Sequence, residues 1–302
     1  MIENNFEFTR DKHMKYLLEK LKDLYNDDIK KCPNIEAIKP PLINVEDVLQ
    51  AHYILADYFL DESGGAQQEK MLVGVRDYNL LCSAICRQTV ALGNKYKYTA
   101  PLDICATLFF GLVKDHAFHD GNKRTALLTL LKQITDYGFY PTENISIFEK
   151  LVSSVADNTL AEKYNNIFKK YKHYDDPIIR SIAHILRKNT TKKDRSCHLN
   201  INMKEFCSIL ETKNLNVSYV LDNMKIKFQR DVKGFLKTKK LSYTVKFYGW
   251  TRPVEAGMMR DTLDALQITD EFPNYQEFVN NGKSLYTLIN QFEIPLRRLK
   301  DK

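Results

Sequence analysis

The sequence predicts a mainly α protein with a smaller α+β domain at its C-terminal end. Two observations carry this. Between residues 43 and 186, apolar residues recur at three- and four-residue spacing, the helical signature. Beyond residue 200 the period drops to two in Val217-Ser-Tyr-Val-Leu, Lys225-Ile-Lys-Phe-Gln and Leu241-Ser-Tyr-Thr-Val-Lys-Phe-Tyr. A third, the punctuation at Pro40-Pro41 and in the basic run Arg187–Arg195, sets the boundaries. We therefore expect a helical N-terminal extension over 1–41, a helical domain over 42–186, a basic linker over 187–200 and the α+β domain over 201–302.

The elements follow in order. His13 to Tyr25 carries Leu17, Leu18, Leu21 and Leu24 among lysines, an amphipathic helix expected to pack on the next domain. Ile43 to Tyr58 and Asp77 to Ala91 read as helices, with Asp61-Glu-Ser-Gly-Gly65 as a loop between them. Pro101 to Lys114 is apolar on most sides, which places it at the centre of a bundle. A helix rich in leucine follows until Gly138, then further helix from Ile145 to Tyr171 with a break near Asp157-Asn158. A last one starts at Pro177 and runs to about Leu186. In the C-terminal part, Met203 to Leu210 is a short helix. Asp222-Asn223 suits a hairpin turn, and helices are expected over Val254 to Leu266 and Gln276 to Asn290.

Composition sets modest limits. The 302 residues are 44% hydrophobic and 27% charged, ordinary for a globular chain. No run approaches eighteen apolar residues, so no membrane span is expected. The acidic, polar start lacks a secretory pattern, and six cysteines without framework density fit a reducing cytoplasm. Cys82 and Cys86, four apart in an apolar run, read as core and not as a zinc pair. The net charge of +7 has two readings, nucleic-acid affinity or a lysine-rich proteome. In the C-terminal strands Lys225, Lys227 and Lys246 lie near Phe228, Tyr243, Phe247 and Trp250. That mixture suits a nucleic-acid partner, but lysines on one face and aromatics on the other are more simply what any half-buried sheet shows.

The most informative stretch is His116-Ala117-Phe118-His119-Asp120-Gly121-Asn122-Lys123-Arg124, a loop opening a helix. Lys123 and Arg124 stand in the first turn, where cations are disfavoured by about 0.3–1 kcal/mol each. Free backbone N–H groups beside two cations make sense where phosphate binds. His116 can take a proton near neutral pH, and Asp120 offers a hard oxygen to magnesium. Phe118 reads as a hydrophobic anchor for the loop.

This stretch resembles the signature of the Fic/Doc family, His-x-Phe-x-(Asp/Glu)-(Gly/Ala)-Asn-(Gly/Lys)-Arg. Ile43-Asn-Val-Glu-Asp-Val-Leu-Gln-Ala-His52 and Gly74-Val-Arg-Asp-Tyr-Asn-Leu-Leu-Cys-Ser-Ala-Ile-Cys-Arg-Gln88 resemble blocks of its death-on-curing (Doc) branch, so the resemblance spans roughly 42–170. It implies a Fic/Doc-type helical bundle and a transferase using ATP or another nucleoside triphosphate with Mg2+. Its acceptor is a Ser, Thr or Tyr hydroxyl of a target protein. It further implies His116 as general base, Asp120 as metal ligand, and an anion hole of N–H groups at Gly121 and Asn122. Lys123 and Arg124 would hold the triphosphate, and a flap over residues 64–76 would help bind the target.

Two departures point to the Doc branch and its phosphoryl transfer: Lys123 stands where AMP-transferring members have glycine, and Leu127 replaces their second arginine. Gly121 is closer to the AMP-transferring members, so adenylyl transfer (AMPylation) is the alternative. A non-catalytic scaffold serving a nucleic-acid-binding regulator is the second. No (Ser/Thr)-x-x-x-Glu-(Gly/Asn) inhibitory pattern occurs, so the resemblance implies a toxin with a separate antitoxin or inhibitory partner.

Overall fold

The computed structural model describes residues 19–33, 41–61, 72–142, 144–192, 201–212, 215, 217–233, 238–268 and 285–299. The protein is mainly helical with small sheets, and its chain divides into two compact units. Residues 19–192 with 288–299 form the first, and residues 201–268 with 285–287 the second.

The helical unit contains α1 (Glu19–Lys31), α2 (Val45–Asp61), α3 (Tyr78–Cys86), α4 (Pro101–Lys114) and α5 (Asn122–Asp136). These are followed by α6 (Ser146–Ala156), α7 (Leu160–Lys163), α8 (Asn165–Tyr171) and α9 (Pro177–Asn189). Helix α4 lies at the centre, packed against α3, α5, α6 and α9. Pro101 starts it, and Leu102, Cys105, Ala106, Leu108, Phe109, Leu112 and Val113 are all buried. Each fully buried Leu, Val or Phe contributes about 1.5–3 kcal/mol, so this helix is firmly held by its own side chains. Gly111 allows α3 its close approach, because a Cβ there would come within 2.8 Å of Arg87 Cδ and 3.0 Å of Ala84 Cα.

Buried amides tie the bundle together. Gln88 Oε1 accepts from Ile43 N and Gln133 Nε2, while Gln88 Nε2 donates to the Ile43 and Ile85 carbonyls. Two short ladders interrupt the helices where no β pattern was expected. These are β1 (Ala91–Leu92) with β2 (Lys95–Tyr96), and β3 (Tyr140–Pro141) with β4 (Thr190–Thr191). Two residues are too few to show a period, so sequence reading passes over them. Helix α9 and β4 also take up Arg187–Thr191 of the expected linker; residues 193–200 lie outside the described residues.

Helix α1 departs from expectation in its phase. The buried side carries Leu21, Tyr25 and Asp28, whereas Leu24 is 39% exposed; residues 17 and 18 lie outside the described residues. The stripe therefore runs on through a carboxylate, which leucine spacing alone cannot reveal. Cys86 is likewise exposed, while Cys82 is buried.

The second unit is an α+β layer. Strands β5 (Val217–Asp222), β6 (Lys225–Lys233) and β7 (Thr238–Lys246) form an antiparallel sheet in that order. Asp222 pairs with Lys225, so Asn223 and Met224, both at positive φ, make the two-residue turn. One face, with Val217, Tyr219, Ile226, Phe228 and Val245, packs with Phe206 and Leu210 of α10 (Met203–Thr212). Met259 and Leu263 of α11 (Ala256–Ala265) join the same core. Lys225, Lys227 and Lys246 occupy the alternate positions and are exposed. Phe228 and Phe247 are core residues, and Tyr243 and Trp250 pack against them, so lysines and aromatics do not share a face.

The segment after residue 284 is shared between the units, because the division falls within α12 (Leu285–Gln291). Residues 288–299, expected in the α+β domain, pack with the helical unit instead. Phe292 meets Phe148 edge-on at 5.7 Å, and α13 (Glu293–Arg298) places Arg298 3.6 Å from Glu149.

Candidate active site

The His116–Asn122 loop leaves the rigid end of α4 and re-enters structure at α5, so both of its ends are fixed by core helices. Gly121 precedes α5 at φ +74°, a left-handed conformation for which glycine is the natural choice. Asn122 then folds its side chain back onto the loop. Its Oδ1 accepts from Phe118 N at 2.9 Å, and its Nδ2 donates to Phe118 O at 3.0 Å. Phe118 is buried and stacks on the His52 ring, with centroids 4.1 Å apart and planes at 16°.

His52 is wholly buried, and burial, reinforced by the nearby His119, pushes its pKa down to about 3. The ring is therefore neutral. Its Nε2 accepts the Gly74 N–H at 3.2 Å, so Nδ1 carries the proton and donates to Thr125 Oγ1 at 3.0 Å. One imidazole thus joins α2, α5, the loop anchor and the strip at Gly74.

That strip runs antiparallel to the loop, with Val75 bridged to Phe118. Arg76 N and Asp77 N donate to Ala117 O at 2.7 and 3.1 Å, and His119 N donates to Gly74 O at 3.1 Å. Beneath it Asp28, 7% exposed, accepts from Val75 N, Tyr53 OH and Tyr78 OH. These bonds and burial raise the pKa of both tyrosines, burial being the larger cause. The remainder of the expected flap, residues 64–71, lies outside the described residues.

His116 and His119 are exposed at the loop, His116 at φ +48°. Asp120 is half-buried and uses Oδ1 to accept the Gly121 N–H at 2.5 Å. No group of three or more His, Cys, Asp or Glu side chains is placed to hold a metal among the described residues. A lone hard carboxylate beside a helix N-terminus suits a magnesium ion bound mainly by phosphates and water, so Asp120 fits that ion as one ligand. Lys123 is half-buried in the first turn of α5.

Arg124 has a different setting from the one expected. It is 3% exposed, its Nε donates to Leu296 O at 3.0 Å, and its guanidinium lies 4.9 Å from the Phe59 ring centre. The Arg297 guanidinium lies 5.4 Å from the same ring. The cation that looked unfavourable at a helix start is thus also a strap to one of the last carbonyls of α13. Sequence reading missed Asp28, Phe59 and Leu296 as parts of this neighbourhood, whereas Arg76 lies at the end of the expected flap. Nothing in their local sequence sets them apart; His52 and Arg76 at least fall within the Doc-like blocks.

Residues 42–134 match the model of the Fic/DOC family, a helical family whose domains are generally transferases. The match covers α2 through most of α5 and includes the whole loop. It does not distinguish the Doc branch. No curated protein and no solved structure matches the chain. No helix among the described residues is long and apolar enough to cross a membrane.

Proposed function

We propose that the helical unit is a Fic-type transferase that moves a phosphoryl group from a nucleoside triphosphate to a Ser, Thr or Tyr hydroxyl of a target protein. The observation that carries this is the clamped loop itself. It holds an exposed His116 next to a helix N-terminus that also carries Asp120 and Lys123. His116 takes the proton of the attacking hydroxyl, whose oxygen forms a bond to the γ-phosphorus as the bond to the bridging β–γ oxygen breaks. The nucleoside diphosphate leaves. The Asn122 N–H and Lys123 face the charge that develops on the transferred group, and the Gly121 N–H, held by Asp120 Oδ1 in this structure, joins them only where Asp120 gives it up. Asp120 is the proposed magnesium ligand, the ion's contribution being to offset phosphate charge. Arg124 joins the phosphate contacts only where α13 releases it. The acceptor protein and a separate inhibitory partner belong to the same reading.

The test is the mass added to proteins in a cell lysate incubated with the protein, ATP and magnesium. One phosphate supports phosphoryl transfer; addition of a whole AMP supports adenylyl transfer and overturns our reading. His116→Ala should lower either transfer by about 10²–10⁴-fold. Lys123→Gly should weaken phosphorylation or shift the product towards AMP, since lysine crowds the space an α-phosphate flanked by two others needs.

A further inference from the structure

Resting on the reading of His116 as the base, we propose that Arg76 is a positioning residue for His116. Asp28, on a helix that precedes the family match, fixes the strip that carries Arg76. The reason lies in the backbone of His116. A left-handed φ of +48° is unfavourable for a residue with a side chain, and such conformations persist only where the surroundings over-determine them. Arg76 supplies part of that determination, from the C-terminal side of His116. Its Nη2 donates to the carbonyl of His116 at 2.5 Å, and its own backbone N–H donates to the next carbonyl, Ala117, at 2.7 Å. Two successive peptide planes, 116–117 and 117–118, are therefore held by one residue, which fixes the chain on the C-terminal side of His116.

The Arg76 side chain does no core packing, because the residue is exposed. The His116 carbonyl, on an exposed loop, could be satisfied by water, so its capture by a guanidinium serves orientation more than stability. The strip is in turn held from below. Asp28 Oδ2 accepts Val75 N at 3.0 Å and Tyr53 OH at 2.7 Å, Oδ1 accepts Tyr78 OH at 2.8 Å, and His52 takes Gly74 N. Three donors meet one carboxylate, a demand that asparagine, with a single acceptor oxygen, fails to meet. Helix α1 is thereby a support of the reactive loop, although it lies outside residues 42–134.

The test compares Arg76→Ala, Arg76→Lys, Asp28→Asn and His116→Ala in the full chain. For Arg76→Ala we expect kcat to fall about tenfold to a hundredfold, as for a small misplacement of a catalytic group, with nucleotide KM and Tm unchanged. Arg76→Lys, keeping a single donor, should recover part of the loss. Amide hydrogen exchange at residues 117–119 should accelerate in Arg76→Ala, and at Val75 in Asp28→Asn. An Arg76→Ala protein with parental kcat, or with parental exchange at 117–119, overturns the proposal. If His116→Ala keeps full activity, it is the base assignment that fails, and exchange in the Arg76 variant still reports whether Arg76 holds the loop.

Discussion

Each unit of this protein buries an arginine, and the two are used alike. In the sheet unit, Arg230 of β6 donates from Nε to Leu215 O at 3.1 Å, and from Nη1 to Leu266 O at 3.0 Å and Gln267 O at 2.8 Å. The last two carbonyls lie at the C-terminal end of α11, where a helix lacks donors of its own and favours a cation. In the helical unit, Arg124 donates to Leu296 O in the last turn of α13. Both arginines therefore close a helix end from a distant element. They differ in where they start. Arg230 leaves a strand interior, while Arg124 leaves the first turn of α5, beside the loop proposed to bind phosphate. A guanidinium in a binding motif can thus be a structural strap as well, and its sequence position does not say which role it fills.

Paired truncation would break the comparison most visibly. Arg230→Ala and Arg124→Ala should each lower stability by about 2–4 kcal/mol, because the first strands three carbonyls, the second strands that of Leu296, and each loses charge-assisted bonding. Nucleotide affinity, measured separately, should be untouched in the Arg230 variant. Should Arg124→Ala leave Tm in place while weakening nucleotide binding, the strap is not its main role and the two arginines are unlike.

A second contrast sharpens with pH. The helical unit stakes part of its stability on a buried neutral imidazole, and the sheet core contains no histidine among the described residues. With a folded pKa near 3 and an ordinary unfolded value near 6.5, His52 binds its proton only in the unfolded chain between those limits. Stability contributed by the neutral ring is therefore full above about pH 6.5 and is lost as pH falls towards 3, by at most about 1.4 kcal/mol per pH unit. Denaturant melts between pH 7 and 4 should show this slope for the parent and a shallower one for His52→Phe.

The smallest effect is expected on the open face of the sheet. Lys225 and Lys246 are direct cross-strand partners, and like charges so placed repel slightly. Replacing Lys225, Lys227 and Lys246 with glutamine should shift stability by no more than about 0.5 kcal/mol per site. If this face contacts phosphates, the parent should bind labelled RNA or DNA with steep salt dependence, and the triple variant should bind weakly. Equal binding by both would leave these lysines as a solvated surface.

Much of the fold was legible in the chain. Pro101–Lys114 forms over the expected residues, the break near Asp157-Asn158 separates α6 from α7, and the three strands lie where the period drops to two. The loop that opens α5 was legible too, and so was the anchoring role of Phe118. These features depend on neighbours within a turn or a strand, and periodicity and turn chemistry record such neighbours directly. The two short ladders, the phase of α1 and the return of residues 288–299 to the helical unit were not legible.

What the sequence by itself determined was therefore the set of local elements and the presence of a histidine, a carboxylate and two cations around one helix start. Only the tertiary structure decided what those groups face. Arg124 meets a carbonyl 172 residues away, and Asp28 meets Val75, 47 residues along the chain. A buried polar side chain must find its partner wherever packing puts one. That partner is set by the arrangement of whole helices, and no local pattern in the chain encodes it.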